Sequence, residues 1–230
     1  MRKELNGILI FIGILWVIFG IDFILPWDLN SELGLIPRTT RGLWGILTMP
    51  FLHGSVKHLL SNTVPLVVLL MLLFSSRPHP VRVIICLVIL SGAMLWLVGR
   101  SHAHVGASGL IYALMAFLIT AGLLERKIVP MAISILVGVL YGGTLIWGVL
   151  PRTDSNISWE GHLLGAVAGG VFAWGTVKRK PRKKKLTGSA TTIIDQGVPA
   201  AVEASTIGGT PDVVPEPDAS PDSVRDIPST

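Results

Sequence analysis

The feature that most constrains the fold is a series of six apolar stretches in the first 177 residues. Each is close to the roughly 20 residues that a helix needs to cross the ~30 Å hydrocarbon core of a bilayer. Half of the 230 residues are hydrophobic and only 14% are charged, which is unusual for a soluble domain. The sequence therefore predicts an all-α, polytopic membrane protein with six spans, near residues 5–25, 56–74, 81–99, 107–124, 128–149 and 160–177.

Basic residues predict the orientation, because short loops rich in Lys and Arg stay on the cytoplasmic side. With a cytoplasmic N-terminus, 13 of the basic residues up to position 185 fall on the inner side and 5 on the outer side. We therefore expect both termini in the cytoplasm, and the small six-span form favours a bacterial plasma membrane. No small-x-small cleavage site follows the first apolar run, so this run is predicted to be an uncleaved span.

Charge divides the chain at about residue 177. Residues 178–185 contain seven Lys or Arg and no acid, whereas residues 186–230 contain one Arg and seven Asp or Glu. A basic cluster directly after an apolar helix favours contact with anionic lipid over nucleic acid. The tail has too little apolar surface to offset its ordering entropy. We expect a six-helix membrane domain at 1–177, then a cytoplasmic basic cluster and disordered acidic tail at 178–230.

The first external segment, residues 26–55, is too apolar for a free loop and too broken by Pro26 and Pro50 for a span. It also carries Trp27 and Trp44, and tryptophan is enriched at membrane–water interfaces. The segment is therefore predicted to form short helices that lie partly in the outer leaflet.

Polar residues inside spans are costly and mark functional sites. The predicted topology runs spans two, four and six in the same direction, from outside to inside. His58 and Asn62 lie in the first turns of span two, Ser108 opens span four, and His162 opens span six. All four residues are therefore expected at similar depth near the outer face.

These residue types fit acyl transfer. A serine hydroxyl needs a neighbouring base, and a neutral imidazole is such a base near pH 7. We predict Ser108 as the nucleophile and His162 as its general base. Tyr112, one helical turn after Ser108, is placed to fix the His162 ring. Spans four and six offer no third, acidic member except at their ends: Glu125 lies at the opposite membrane face, and Glu160 is rotated about 200° from His162 on the helix.

An oxyanion needs hydrogen-bond donors. The first-turn N–H groups of the helix at Ser108 have no intrahelical partner. His58 and Asn62 are spaced i, i+4 and project from one helix face, so both can add donors. His53, five residues before His58, is expected to extend this polar wall.

Glycines provide a way to bring spans four and six together. Gly161, Gly165 and Gly169 repeat every four residues and leave a flat strip, and Gly109 starts a comparable face on span four. Such strips let membrane helices approach closely, although they are common in helical membrane proteins and carry no chemistry alone.

Three motifs resemble those of rhomboid intramembrane serine proteases. They are Gly106-Ala107-Ser108-Gly109 with Tyr112, His162-x2-Gly165-x3-Gly169, and His53-x4-His58-x3-Asn62. The resemblance covers about residues 5–177. It implies a Ser108–His162 dyad, an oxyanion hole of His58, Asn62 and the Ser108 N–H, and cleavage of transmembrane proteins near their outer ends without metal or cofactor. The family often has Trp-Arg where this chain has Trp44-Gly45, which leaves the packing of the first external segment open.

Two other classes of function remain open from the sequence. One is a catalytically inactive rhomboid-like protein that binds membrane clients, and the other is a small transporter. The pair His102-x-His104 is a weak candidate for a metal site, because no third ligand is near and the pair is expected in a surface loop. The substrate and the oligomeric state are also left open.

Overall fold

The computed structural model describes residues 2–151 and 158–177. This part of the chain is all helical, and its eight α-helices and one 3-10 turn account for the six predicted spans and the external segment. Their bounds are α1 Arg2–Ile24, α2 Leu29–Leu33, α3 Gly42–Thr48, the turn Met49–Phe51, α4 Val56–Ser76, α5 Pro80–Val98, α6 Ser108–Glu125, α7 Ile128–Gly148 and α8 Trp159–Thr176. The predicted basic cluster and acidic tail at 178–230 lie outside the described residues.

Five of these helices, α1, α4, α5, α6 and α7, are long and apolar enough to cross a membrane. The sixth, α8, has 18 residues but a lower hydropathy, because it contains Glu160, His162 and five glycines. The prediction of an all-α polytopic protein is confirmed, and the predicted span boundaries agree with the helices to within three residues.

Helix α6 is the centre of the bundle. In its most apolar window 61% of residues are buried, against 11% to 33% in the other four candidate spans. It packs most extensively on α8 and α7, and also on α5 and α4, whereas α1 packs on α4. A serine at the start of α6 is therefore surrounded by the starts and ends of its neighbours.

Local sequence signals set the ends of the helices that carry the site. The Ser55 hydroxyl accepts the His58 N–H at 3.2 Å and starts α4. The Ser158 hydroxyl accepts the Gly161 N–H at 3.1 Å and starts α8. Arg126 adopts the left-handed conformation, with φ 51°, directly after α6. Serine at an N-cap satisfies an N–H group that has no partner within the helix.

The external segment forms short helices, as predicted, and packs closely on the α5–α6 loop. The Leu35 and His104 backbones exchange two hydrogen bonds of 3.0 and 2.8 Å. A side chain at Gly45 would overlap the backbone of Leu35, so glycine is required here by the approach of α3. The neighbouring cation Arg41 joins α3 to α2 by donating to the Ser31 and Glu32 carbonyl oxygens at 3.1 and 3.0 Å.

Candidate active site

Ser108 is the first residue of α6, and the chain reaches it through a tight turn at Gly106. Gly106 has φ +111°, a conformation that residues with a Cβ rarely adopt. Its N–H donates to the Met49 carbonyl oxygen at 3.0 Å, which fixes the turn against the external segment. The turn leaves Ser108 partly exposed and places its backbone N–H in the first helical turn, where no intrahelical acceptor exists.

The side chains of His58 and Asn62 lie beside this turn. A Cβ built on Gly106 would come within 2.7 Å of His58 Nε2 and 3.7 Å of Asn62 Nδ2. Asn62 is 3% exposed and donates one amide hydrogen to the His58 carbonyl oxygen at 3.1 Å, which orients the amide. The two predicted donors are thus brought to the segment that carries Ser108, and glycine at position 106 is what leaves room for the His58 ring.

Helices α6 and α8 meet through their glycines. A Cβ on Gly165 would overlap the Gly109 carbonyl oxygen, and a Cβ on Gly169 would overlap the Ala113 carbonyl oxygen. At the level of the site, a Cβ on Gly109 would lie 3.5 Å from the Gly161 carbonyl oxygen. The neighbours of Ser108 and His162 in the sequence are therefore in contact across the two helices.

His162 is held by a stacked ring and by a backbone acceptor. Its imidazole lies parallel to the Tyr112 ring, with an interplanar angle of 2° and centroids 4.1 Å apart. Its Nδ1 lies 3.0 Å from the Gly148 carbonyl oxygen. A carbonyl oxygen only accepts, so Nδ1 must carry the proton, and Nε2 is left as the basic nitrogen of the neutral ring.

The Gly148 carbonyl is the element of the site that the sequence did not indicate. It occupies the role for which a serine protease uses a carboxylate, which is to fix the tautomer and the orientation of the histidine. A second α7 carbonyl, that of Thr144, accepts the Tyr112 hydroxyl at 2.9 Å. Backbone acceptors have no residue-type signature, so only the placement of α7 beside α6 could reveal them.

The two acids at the ends of α6 and α8 are bound by arginines. Glu125 pairs with Arg77 at the far end of α6 from Ser108. Glu160 pairs with Arg100 of the α5–α6 loop, with Nη2 and Oε2 3.0 Å apart. Both carboxylates thus have a cationic partner.

His53 packs against His58, one of the oxyanion-hole candidates. It is 1% exposed, and its ring meets the His58 ring edge-on with centroids 5.2 Å apart. Burial, and the neighbouring His58, lower the pKa of His53 to about 4. His53 is therefore uncharged near neutral pH and lies directly against the His58 ring.

The expectation for His102-x-His104 was wrong in one respect. His102 is exposed, but His104 is 2% exposed and lies under the loop, where its side chain contacts the start of α8. The ring nitrogens of His104 are hydrogen-bonded to the Arg100 carbonyl oxygen and the Ser158 hydroxyl rather than to solvent. No cluster of three metal-ligating side chains occurs within residues 2–151 and 158–177.

Comparison with known proteins agrees with the three motifs. The Rhomboid domain family matches residues 40–179. Uncharacterized proteins of Mycobacterium tuberculosis and Mycobacterium bovis are each 37% identical over 169 residues, which covers 70% of this chain and 70% of each relative. An uncharacterized protein of Mycobacterium leprae is 34% identical, over 70% of this chain and 66% of the relative. On the match to its family, this chain belongs to the rhomboid family.

Proposed function

We propose that this protein is an intramembrane serine endopeptidase that cleaves transmembrane helices near the outer membrane face. The observation that carries the proposal is the state of His162. Its ring is stacked on Tyr112 and its Nδ1 donates to the Gly148 carbonyl, so that Nε2 is the basic nitrogen of the ring. A general base needs an unprotonated ring nitrogen and a fixed ring orientation, and these two contacts supply both.

In the proposed mechanism, His162 Nε2 takes the proton of the Ser108 hydroxyl as its oxygen attacks the scissile carbonyl carbon. The tetrahedral oxyanion is stabilised by the Ser108 N–H and by donors of His58 and Asn62. His162 then gives its proton to the leaving amine, and the acyl-enzyme forms on Ser108. A water molecule, deprotonated in turn by His162, attacks the ester carbon. His162 then returns this proton to the Ser108 oxygen as the ester bond breaks and the second product leaves as a carboxylic acid.

The Gly148 carbonyl and the Tyr112 ring take over the orienting task of the missing carboxylate. A carbonyl dipole stabilises an imidazolium less than a full negative charge does, so this dyad is expected to be slower than a triad with a carboxylate. The chemistry needs no metal ion and no cofactor, and the substrates are membrane proteins with a helix that unwinds locally. We also propose a plasma-membrane location with both termini in the cytoplasm.

The test is cleavage of a helical reporter protein in liposomes by the wild type and by Ser108→Ala. We expect Ser108→Ala to lower the rate by about 10⁴-fold or more, because the nucleophile is removed. Ser75→Ala, an exposed serine on α4, is the matched control and should cleave at the wild-type rate. A fluorophosphonate should label the wild type and not Ser108→Ala.

Four results would contradict the proposal. Cleavage that survives Ser108→Ala would exclude the dyad, and so would equal labelling of the two proteins by the fluorophosphonate. A wild type that binds reporter helices without cleaving them would favour an inactive client-binding protein. Flux of solute or protons across the liposome membrane without cleavage would favour a transporter.

A further inference from the structure

The segments that precede Ser108 and His162 are joined to each other away from the glycine strip. Four side chains form the link, and we call them the clasp: Arg100 and His104 in the α5–α6 loop, and Ser158 and Glu160 at the start of α8. His104 lies four residues before Ser108, and Ser158 lies four residues before His162. The link therefore lies four residues before each proposed catalytic residue in the chain.

The hydrogen bonds of the clasp have a single consistent direction. His104 Nε2 lies 3.0 Å from the Arg100 carbonyl oxygen, which only accepts, so Nε2 carries the proton. Nδ1 is then an acceptor, and it takes the Ser158 hydroxyl hydrogen at 2.7 Å. The Ser158 oxygen in turn accepts the Gly161 N–H at 3.1 Å. A continuous chain of hydrogen bonds thus runs from the loop into the first turn of α8.

An ion pair runs alongside this chain. The Arg100 guanidinium binds the Glu160 carboxylate through both Nε and Nη2, which is the two-point geometry that fixes direction as well as distance. The Arg100 side chain is 47% exposed, so the pair contributes little stability. Its contribution is to fix the distance and direction between the α5–α6 loop and the start of α8. The loop itself is fixed from the other side by the two backbone hydrogen bonds between His104 and Leu35.

The glycine strip leaves α8 able to slide along α6, and the clasp can prevent this motion. Gly161, Gly165 and Gly169 let α8 approach α6 closely, but a flat strip has no side chains that oppose sliding along the helix axis. A slide by one residue moves His162 by about 1.5 Å relative to Ser108. A misplacement of about 1 Å in a catalytic pair can cost about 100-fold in rate.

We propose that the clasp sets the axial register of α8 on α6, and hence the distance between Ser108 and His162. Arg100, His104, Ser158 and Glu160 are then positioning residues for proteolysis, and this inference rests on the proposed function. The clasp touches neither substrate nor reacting atoms, so its loss should lower kcat and leave KM unchanged.

Substitutions of His104 separate the two halves of the hydrogen-bond chain. His104→Asn places an acceptor where Nδ1 lies and keeps the link to Ser158, whereas His104→Gln keeps a donor for the Arg100 carbonyl and loses that link. His104→Ala loses both. The exposed ring of His102 packs on the His104 ring with centroids 4.0 Å apart, so His102→Ala is the control for the loss of that ring contact alone.

The experiment measures kcat and KM for reporter cleavage in liposomes, with the thermal midpoint of each variant recorded. We expect His104→Ala to lower kcat by about 10- to 100-fold. His104→Asn should recover most of kcat, His104→Gln little of it, and His102→Ala should match the wild type. Glu160→Gln should lower kcat only severalfold, because the ion pair is half exposed.

Wild-type kcat in every His104 variant, or a change confined to KM, would overturn the clasp. If His104→Ala does not fold, equal kcat in His104→Asn and His104→Gln would overturn it. If the wild type itself does not cleave, the proposed function fails and hydrogen exchange of the Gly161 and His162 amides decides the clasp. Faster exchange in His104→Gln than in His104→Asn supports it, and equal exchange overturns it.

Discussion

Helices α7 and α8 both pack on α6, and they do so by different means. The contact between α8 and α6 is backbone against backbone, since side chains at Gly165 or Gly169 would overlap α6 carbonyl oxygens. Near the site, α7 instead contributes carbonyl oxygens of Thr144 and Gly148, which accept hydrogen bonds from Tyr112 and His162. Helix α8 therefore fixes the position of His162, and α7 fixes the orientation of its ring.

The two ends of α7 also differ. Near its start, a Cβ on Gly122 of α6 would overlap the Pro130 carbonyl oxygen, and the Ser134 hydroxyl donates to the Ile119 carbonyl oxygen at 3.0 Å. Further along, Gly138, Gly142 and Gly143 have no atom within 4 Å of a built Cβ. Displacement of the Gly148 end would turn the His162 ring without moving α8. We therefore expect a methyl group added between α6 and α8 to lower the cleavage rate more than a methyl group added at the Gly148 end of α7.

The largest effect is expected for Gly165→Ala. The added methyl group overlaps the Gly109 carbonyl oxygen, which is backbone and cannot turn aside, so α8 must move by about 1 Å and activity should fall by about 100-fold. Gly170→Ala is the matched control, because its Cβ meets only Thr120 Oγ1 at 3.8 Å. Reporter cleavage is the measurement, and equal rates in the two variants would contradict a backbone contact.

A smaller effect is expected for Gly148→Ala. The new Cβ overlaps the Tyr112 hydroxyl, so the end of α7 must shift and the hydrogen bond to His162 Nδ1 weakens. The loss of about 1 kcal/mol from one such bond corresponds to a roughly five- to tenfold lower kcat. Gly143→Ala, where a Cβ meets open space, should cleave normally. A Gly148→Ala rate as low as that of Gly165→Ala would remove the distinction between α7 and α8.

Tyr112→Phe separates the stack on His162 from the hydrogen bond to α7. The ring remains against the imidazole, and only the donor to the Thr144 carbonyl is lost. We expect a twofold to fivefold lower kcat, consistent with one hydrogen bond of less than about 1 kcal/mol. Tyr112→Ala loses the stack too and should be slower. Equal kcat values in the two variants would mean that the stack contributes nothing.

These contacts mark where prediction from sequence succeeds and where it stops. The spans follow from length and hydropathy, and the approach of α8 to α6 follows from the spacing of Gly161, Gly165 and Gly169. The stack of Tyr112 on His162 follows from the i+4 position of Tyr112 after Ser108. Each of these depends on residue type at a regular spacing, which the sequence displays directly.

The remaining parts of the site depend on backbone groups and on loops. The Gly148 carbonyl has no residue signature, because every residue carries one. The burial of His104 depends on the Leu35 backbone, which is 69 positions away in the chain and reaches it only through the fold of the external segment. Gly45 appeared as a departure from the family pattern, and the structure explains it by the close approach of α3.

The smallest predicted effect is on the pH dependence of stability. It tests whether His104, which is hydrogen-bonded to the start of α8, stays neutral in the folded protein. Burial lowers the pKa of His104 to about 4, with opposing influences from charged or titratable neighbours: Glu160 raises the pKa, whereas Arg100 and His102 lower it. As pH falls from about 6.5 towards 4, the unfolded chain binds a proton at this residue and the folded chain does not. The stability that the neutral, buried His104 contributes is therefore fully present above about pH 6.5 and declines below it.

The slope contributed by one histidine is at most about 1.4 kcal/mol per pH unit. His53 contributes a second slope of the same sign, because its pKa is also lowered to about 4. Thermal unfolding in detergent between pH 4 and 8 measures the sum. His104→Asn keeps the acceptor for Ser158 but cannot titrate, so its midpoint should fall less steeply than that of the wild type below pH 6.5. If the thermal midpoints of His104→Asn and the wild type fall in parallel below pH 6.5, His104 is charged or solvated in the folded protein. The hydrogen-bonded link between the α5–α6 loop and α8 would then be wrong, and with it the contrast between α8 and α7.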